Sequence, residues 1–248
     1  MKNNIHPTSI IEEGAKIGLG NIIGENVIIR KGVEIGSRNL FGSNIEITNN
    51  VKIGDDNKFN SFISIGSIAE MGSKGDFFND DGCIIIGNQN TFREFITINS
   101  PARTDRTIVG NKNYFMARTH IPHDAKIGSN IVFATNLLIG GGCIISDYVY
   151  IGLNASVHQW TNIGEGAILG QNSSTLSNVP PFMTAVGTPS KVIKINLEGL
   201  IRRNISNKDI ELFKNYFDRG VESSLKKSNY LISKYVEFIS NKSQYICL

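Results

Sequence analysis

An aliphatic or aromatic residue recurs at every sixth position over most of this chain. Stepping by six from Ile5 meets Ile11, Ile17, Ile23, Ile29, Ile35, Phe41, Ile47, Ile53, Phe59 and Ile65. The stepping slips, resumes at Ile86, Phe92 and Ile98, and slips again. It then runs from Val109 through Phe115, Ile121, Ile127, Phe133, Ile139, Ile145, Ile151, Val157 and Ile163 to Leu169. Two residues before these positions stand smaller side chains such as Ala15, Val27, Val33, Ala125, Cys143, Val149, Ala155 and Ala167, and Gly often follows. A period of six fits neither an ordinary helix nor a long flat strand, and a fixed repeat of this kind decides the architecture.

A hexapeptide of the form small-x-large-Gly-x-x suits one face of a triangular coil. A short strand turns its large and small apolar residues inward, and Gly or a polar residue turns the corner, where positive φ is tolerated. Three units close one turn. Turns stack at the strand-pairing distance of ~4.8 Å, so the apolar columns merge into one core and each coil is buried by its neighbours. The spacing therefore predicts an all-β solenoid of about eight coils over residues 1–190, with the six-step residues inside. Val179-Pro180-Pro181 is where the ladder is expected to stop, because proline cannot donate to it. Beyond it glycine thins out and helical spacing appears at Ile210, Phe213, Phe217, Leu231, Tyr235, Phe238 and Ile239. Residues 191–248 are read as a small C-terminal α-helical domain, with Ser206 or Asn207 capping its first long helix and Gly220 ending it.

Composition narrows the function classes. The formal net charge is +3, and no basic run exceeds Lys226-Lys227, which argues against nucleic acid as the partner. The three cysteines, Cys83, Cys143 and Cys247, are odd in number without paired spacing, and Cys143 falls on an inward small position. No apolar stretch suits a signal peptide or a membrane span. A reduced, cytoplasmic protein is the expectation.

In a solenoid, interruptions leave the coil as loops on one edge. The two slips predict loops near residues 67–83 and 99–107, the second carrying Arg103, Asp105 and Arg106. Three of the four histidines, His120, His123 and His158, follow in the last repeat run, away from His6. Ile121 is the inward residue of its unit, so His120 and His123 point outward. With about eighteen residues per coil, His123 shares a column with Gly141 and Gln159, and His158 lies beside it. A neutral imidazole titrates near the operating pH and suits proton abstraction. Asp124 follows directly and is the candidate to hold the other ring nitrogen. Metal binding by the outward histidines is the competing reading, but Gly141 stands where a third histidine one coil on would be needed.

These segments resemble a known family. Strict hexapeptides with an Ile-Gly rhythm resemble the left-handed parallel β-helix of the hexapeptide acyltransferases. Met116-Ala117-Arg118-Thr119-His120-Ile121-Pro122-His123-Asp124 is similar to the UDP-N-acetylglucosamine acyltransferases that begin lipid A synthesis, as are Ala155-Ser156-Val157-His158-Gln159-Trp160, Val179-Pro180-Pro181-Phe182 and Asn196-Leu197-Glu198-Gly199-Leu200-Ile201-Arg202-Arg203. The resemblance implies a homotrimer with sites between subunits. It implies His123 as general base, Asp124 as its orienting partner and the Gly141 N–H as oxyanion donor. It places His120, His158, Gln159, Asn196, Arg202 and Arg203 around a nucleotide-linked amino sugar. The co-substrate is an acyl thioester of acyl carrier protein or coenzyme A, with no tightly bound cofactor and no metal.

The chain departs from the family pattern at four places. The first-loop stretch Ala69-Glu70-Met71-Gly72-Ser73-Lys74-Gly75-Asp76 is longer than its family counterpart and offers Lys74 for the sugar. Asn99 and Gly142 stand where the family has histidines, and Gln171 where a small Gly lets a long acyl chain pass. Val186-Gly187-Thr188-Pro189-Ser190-Lys191 resembles a segment of coenzyme A-dependent acetyltransferases. A divergent member with a shortened acyl groove is therefore expected. The alternatives are a short-chain N-acyltransferase for polysaccharide sugars and a non-catalytic or metal-binding β-helix.

Overall fold

A computed structural model describes residues 2–48, 50–70, 81–219 and 229–240 of the chain. Strands of mostly two residues recur at the six-residue interval and are dealt in turn to three faces. Asn4–Ile5 lies on the first face, Ile10–Ile11 on the second and Lys16–Ile17 on the third, and Ile22–Ile23 then pairs in parallel with Asn4–Ile5. The three sheets hold eleven, nine and eight strands among the described residues. This is the left-handed parallel β-helix with a small helical tail that was expected. It has nine coils, counted on the second face, rather than about eight.

Inward residues of successive coils stack into columns. On the first face Phe41, Phe59, Phe92, Phe115 and Phe133 follow one another with ring centroids 4.7 to 5.1 Å apart, which is the spacing of the coils themselves. A polar column runs beside them where the third face turns into the first. Asn21, Asn39, Asn57, Asn90 and Asn113 are buried there. Each carboxamide oxygen takes the main-chain N–H of the next, as in Asn39 N to Asn21 Oδ1 at 2.8 Å and Asn57 N to Asn39 Oδ1 at 2.8 Å. These side chains satisfy main-chain groups that corner geometry leaves out of the ladder.

Two expectations about the ends need correction. Ile5 is 41% exposed, and burial is complete only from Ile23 at 1%, because no earlier coil covers the first turn. Pro180-Pro181 does not stop the pairing: Met183–Gly187 still pairs in parallel with Ile168–Leu169. The prolines occupy the turn before that strand, where no donor is required. Met183–Gly187 then pairs antiparallel with Ser190–Ile195, and this hairpin ends the sheet.

Three helices follow: α1 (Leu197–Arg202), α2 (Asn207–Arg219) and α3 (Tyr230–Ser240). Ser206 Oγ accepts the Asp209 N–H at 3.1 Å and caps α2; Gly220 and Cys247 lie outside the described residues. Phe182, Met183, Leu200, Ile210, Phe213, Leu231, Ile232 and Tyr235 form the second core, whereas Phe217 stays 38% exposed. Cys143 is a buried thiol, its pKa pushed up to about 11 by burial. No helix among the described residues is long and apolar enough to cross a membrane.

Ile139 is 4% exposed in the middle of the stack. Ile139→Asp places an unpaired charge in that column, and we expect a loss of about 4 kcal/mol or more, read as a collapse of the urea midpoint. A near-unchanged midpoint would contradict the inward assignment.

Candidate active site

Both interruptions and the histidine segment emerge on one edge, where the second face turns into the third. The first interruption falls between Ile63–Ser67 and Cys83–Ile86, and residues 100–105 leave the edge between Thr97–Asn99 and Arg106–Val109. The next three coils present 122–125, 140–143 and 158–161 at the same edge. The strand ladder thus stacks His123, Gly141 and Gln159 one above another, as the column spacing predicts.

Asp124 is the joint of this edge. Its backbone is left-handed, at φ +63°, and its side chain is 0% exposed. The carboxylate accepts the N–H groups of Ala102 at 3.1 Å, Arg103 at 3.1 Å and Thr104 at 2.8 Å, and the Thr104 hydroxyl at 2.7 Å. Its Oδ2, which shares the Arg103 N–H, lies 2.8 Å from His123 Nδ1. Burial alone would push this carboxyl up, but the bonds from His123, Thr104 and Arg103 outweigh it and hold the pKa below the ordinary value of 3.8. An ionised carboxylate accepts only, so Nδ1 of His123 donates to it, which in the neutral ring leaves Nε2 as the nitrogen without a proton. This use of the second loop as a cradle of amides has no local sequence signal, because the partners lie about twenty residues apart.

Gly141 lies directly against the imidazole. A Cβ at this position would stand 2.3 Å from His123 Cε1 and 2.5 Å from Nε2, so only glycine lets the ring sit over the backbone. The Gly141 N–H has no acceptor among the described residues. His120 flanks the pair on the second face, its Nδ1 2.7 Å from Thr97 Oγ1. Desolvation lowers its pKa from 6.5, against an opposing pull from Glu70, so its neutral form is favoured at pH 7. His158 and Gln159 are exposed at the same edge, with His158 Nδ1 donating to the Gln159 carbonyl at 3.1 Å. Asn99 is 3% exposed, and its amide donates to the Ile68 carbonyl at 2.6 Å.

Other expected residues fall elsewhere on the chain. Gln171 is exposed where the first face turns into the second. Asn196 caps α1, accepting the Gly199 N–H at 3.0 Å and donating to the Gly166 carbonyl at 2.9 Å. The paired arginines are split. Arg202 is 75% exposed and ion-paired with Glu198. Arg203 is largely buried, salt-bridged to Glu165 and 4.1 Å above the Tyr148 ring. Tyr230 in α3 donates to the other Glu165 oxygen at 2.6 Å. Gly166, Tyr148 and Glu165 belong to the edge between the third and first faces, so one chain does not bring Asn196 and Arg203 to His123. Lys74 lies outside the described residues.

Two concavities formed by the described residues also miss His123. One, of about 510 Å³, lies between the third face and α3 and is lined by Lys126, Ile144, Glu165 and Phe238. The other, of about 610 Å³, lies beside the stacked Phe62 and Phe95.

Residues 178–247 match the family described as UDP N-acetylglucosamine O-acyltransferase, domain 2. The acyl-[acyl-carrier-protein]–UDP-N-acetylglucosamine O-acyltransferase of Janthinobacterium sp. (strain Marseille) is 39% identical over 144 residues, which is 57% of this chain and 55% of that protein. The corresponding protein of Herminiimonas arsenicoxydans is 40% identical over 131 residues, 52% of this chain and 50% of that one. The matched stretch thus spans about half the length of these curated relatives. The solved UDP-N-acetylglucosamine acyltransferase of Francisella novicida superposes with a TM-score of 0.87 at 30% identity, over 98% of this chain and 93% of that one. The chain belongs to the UDP-N-acetylglucosamine acyltransferase family. The solved family member from Moraxella catarrhalis superposes with a TM-score of 0.90 at 28% identity, over 98% of this chain and 99% of that one.

Asp124 gives the family edge a testable pH signature. A depressed carboxylate contributes stability that is present above pH 3.8 and lost as pH falls through its lower folded-state value. Asp124→Asn leaves amide donors facing an amide, and we expect a loss of about 3 kcal/mol at neutral pH. The gap between variant and wild type should close as the pH is taken below 3.8 in urea titrations. A gap that stays constant with pH would contradict the assigned role.

Proposed function

We propose that this chain moves an acyl group from the thioester of an acyl carrier protein to the 3-hydroxyl of a UDP-linked N-acetylglucosamine-type sugar. The observation that carries this reading is the His123–Asp124 pair lying over Gly141, in a chain of this family. The sugar hydroxyl gives its proton to His123 Nε2 as its oxygen attacks the thioester carbonyl carbon. Asp124 holds the Nδ1–H and stabilises the imidazolium that forms. The Gly141 N–H takes the developing oxyanion. The C–S bond then breaks, and the proton passes from His123 to the departing thiolate. Atoms and protons balance without a further reactant.

The dispersal of the binding residues supports assembly as a cyclic trimer. His123 stands on one edge of the prism, Arg203 and Asn196 on another and Gln171 on the third. Neighbouring subunits packed around a threefold axis would enclose the histidine edge and bring different edges together. Exposed Ile22, Leu40, Tyr114 and Tyr150 along the first face suit such packing. Light scattering at micromolar concentration should return three chain masses, and a monomer mass would reject the assembly.

Gln171 stands where the family resemblance puts a small residue, so this chain is expected to favour short acyl donors, and Gln171→Gly should lengthen the preferred chain. Wild-type preference for long 3-hydroxyacyl donors would overturn that expectation. The central experiment is His123→Ala, which opens no core cavity. Thioester turnover should fall by about 10²–10⁴, the worth of a positioned general base, with the fold and the assembly intact. The loss should be larger for a hydroxyl acceptor than for an amino-sugar acceptor, which partly deprotonates by itself. Undiminished turnover with every acceptor would remove the base assignment.

A further inference from the structure

Five described aromatic residues occupy left-handed corners: Phe62, Phe95, Tyr148, Phe182 and Trp160. That backbone is costly for a bulky L-residue, and four of the five have an evident return. Phe62 and Phe95 stack on each other at 5.2 Å. Tyr148 carries Arg203 at 4.1 Å, and Phe182 meets Phe213 edge-on at 5.8 Å. Trp160 has no ring and no cation over it among the described residues, and it is 48% exposed.

Its position is specific. One face of the indole lies on Gly142, where a Cβ would stand 2.3 Å from Cε3. Its main-chain N–H donates to the Gly141 carbonyl at 2.9 Å. His123 comes onto Gly141 from the coil before, and Trp160 onto Gly142 from the coil after. The two rings thus flank a floor made of two glycines, with the imidazole on one side and the indole on the other.

We propose that Trp160 contacts the thioester of the acyl donor and fixes it over Gly141. The inference rests on the acyl-transfer reading. A carbonyl within reach of the Gly141 N–H brings its own substituents beside Gly142. Of these the sulfur is the polarisable group that an indole attracts. The Gly141-Gly142 pair is then one device: the first glycine admits the base and the second admits the indole.

Trp160 is the single tryptophan of the chain, so its emission reports on this position alone. The full chain is titrated separately with an S-acyl pantetheine thioester and with UDP-N-acetylglucosamine. The thioester should quench or shift the emission by itself, and the sugar nucleotide should not. Trp160→Asn removes the ring and installs a residue that fills left-handed corners elsewhere, such as Asn136 and Asn154. We expect its KM for the thioester to rise about fivefold to tenfold, the size of one sulfur–ring contact, with KM for the sugar unchanged. Its Tm should be equal to or above wild type. Trp160→Phe should restore most of the thioester KM. Quenching by the sugar nucleotide alone, or an unchanged thioester KM in Trp160→Asn, would overturn the proposal. So would a fall in Tm as the only effect. Wild-type protein that turns over no thioester at all, while still folded, would refute the acyl-transfer reading instead.

Discussion

Main-chain pairing between coils is the constraint on which the rest of the molecule depends. Most of its strands are two residues long, far too short to be stable alone. They persist because each is one rung in a stack that is eight to eleven strands deep. That stack also acts as a ruler. A residue's position in the hexapeptide fixes whether it faces the core, the solvent or a corner, and a step of one coil fixes its neighbour. His123 over Gly141 and Trp160 over Gly142 are both products of this ruler. Neither contact needs a loop to find its place.

What the ruler does not set is held by one buried carboxylate. Asp124 gathers three main-chain amides and a hydroxyl from the second loop and still has an oxygen for His123. The imidazole is therefore oriented by a group whose other bonds are structural. Removing that group would disturb the loop and the imidazole together, so the placing of the ring and the fold of the loop are coupled at this one residue.

The fold was legible because its signal is periodic and repeated: the columns through Phe41–Phe133 and Ile121–Leu169 could be counted from the chain alone. The alignment of His123, Gly141 and Gln159 followed from the same counting. The contacts that escaped are those without a period. Glu165, Arg203, Tyr148 and Tyr230 meet across 38 and 65 residues, and no spacing rule connects a corner of the solenoid with a residue in α3. Arg202 and Arg203 read as a pair, yet a helix turns adjacent residues about 100° apart. One therefore faces solvent, and the other is drawn under the tail. The two ends also differed from expectation, since a repeat pattern carries no information about what covers its first coil.

The asparagine column has a consequence for how such a chain can change. Its rungs are eighteen residues apart at first, from Asn21 to Asn39 to Asn57, but Asn90 follows after thirty-three and Asn113 after twenty-three. The hydrogen bonds are the same length across both enlarged intervals, 2.9 Å at each. Extra length inserted at the opposite edge therefore passes unnoticed by the ladder that keeps the register. The molecule separates a part that must count from a part that need not. Segments beside the histidine edge can lengthen, shorten or change composition while the frame that aims the histidine stays in step, so the surroundings of the imidazole can vary at little risk to folding.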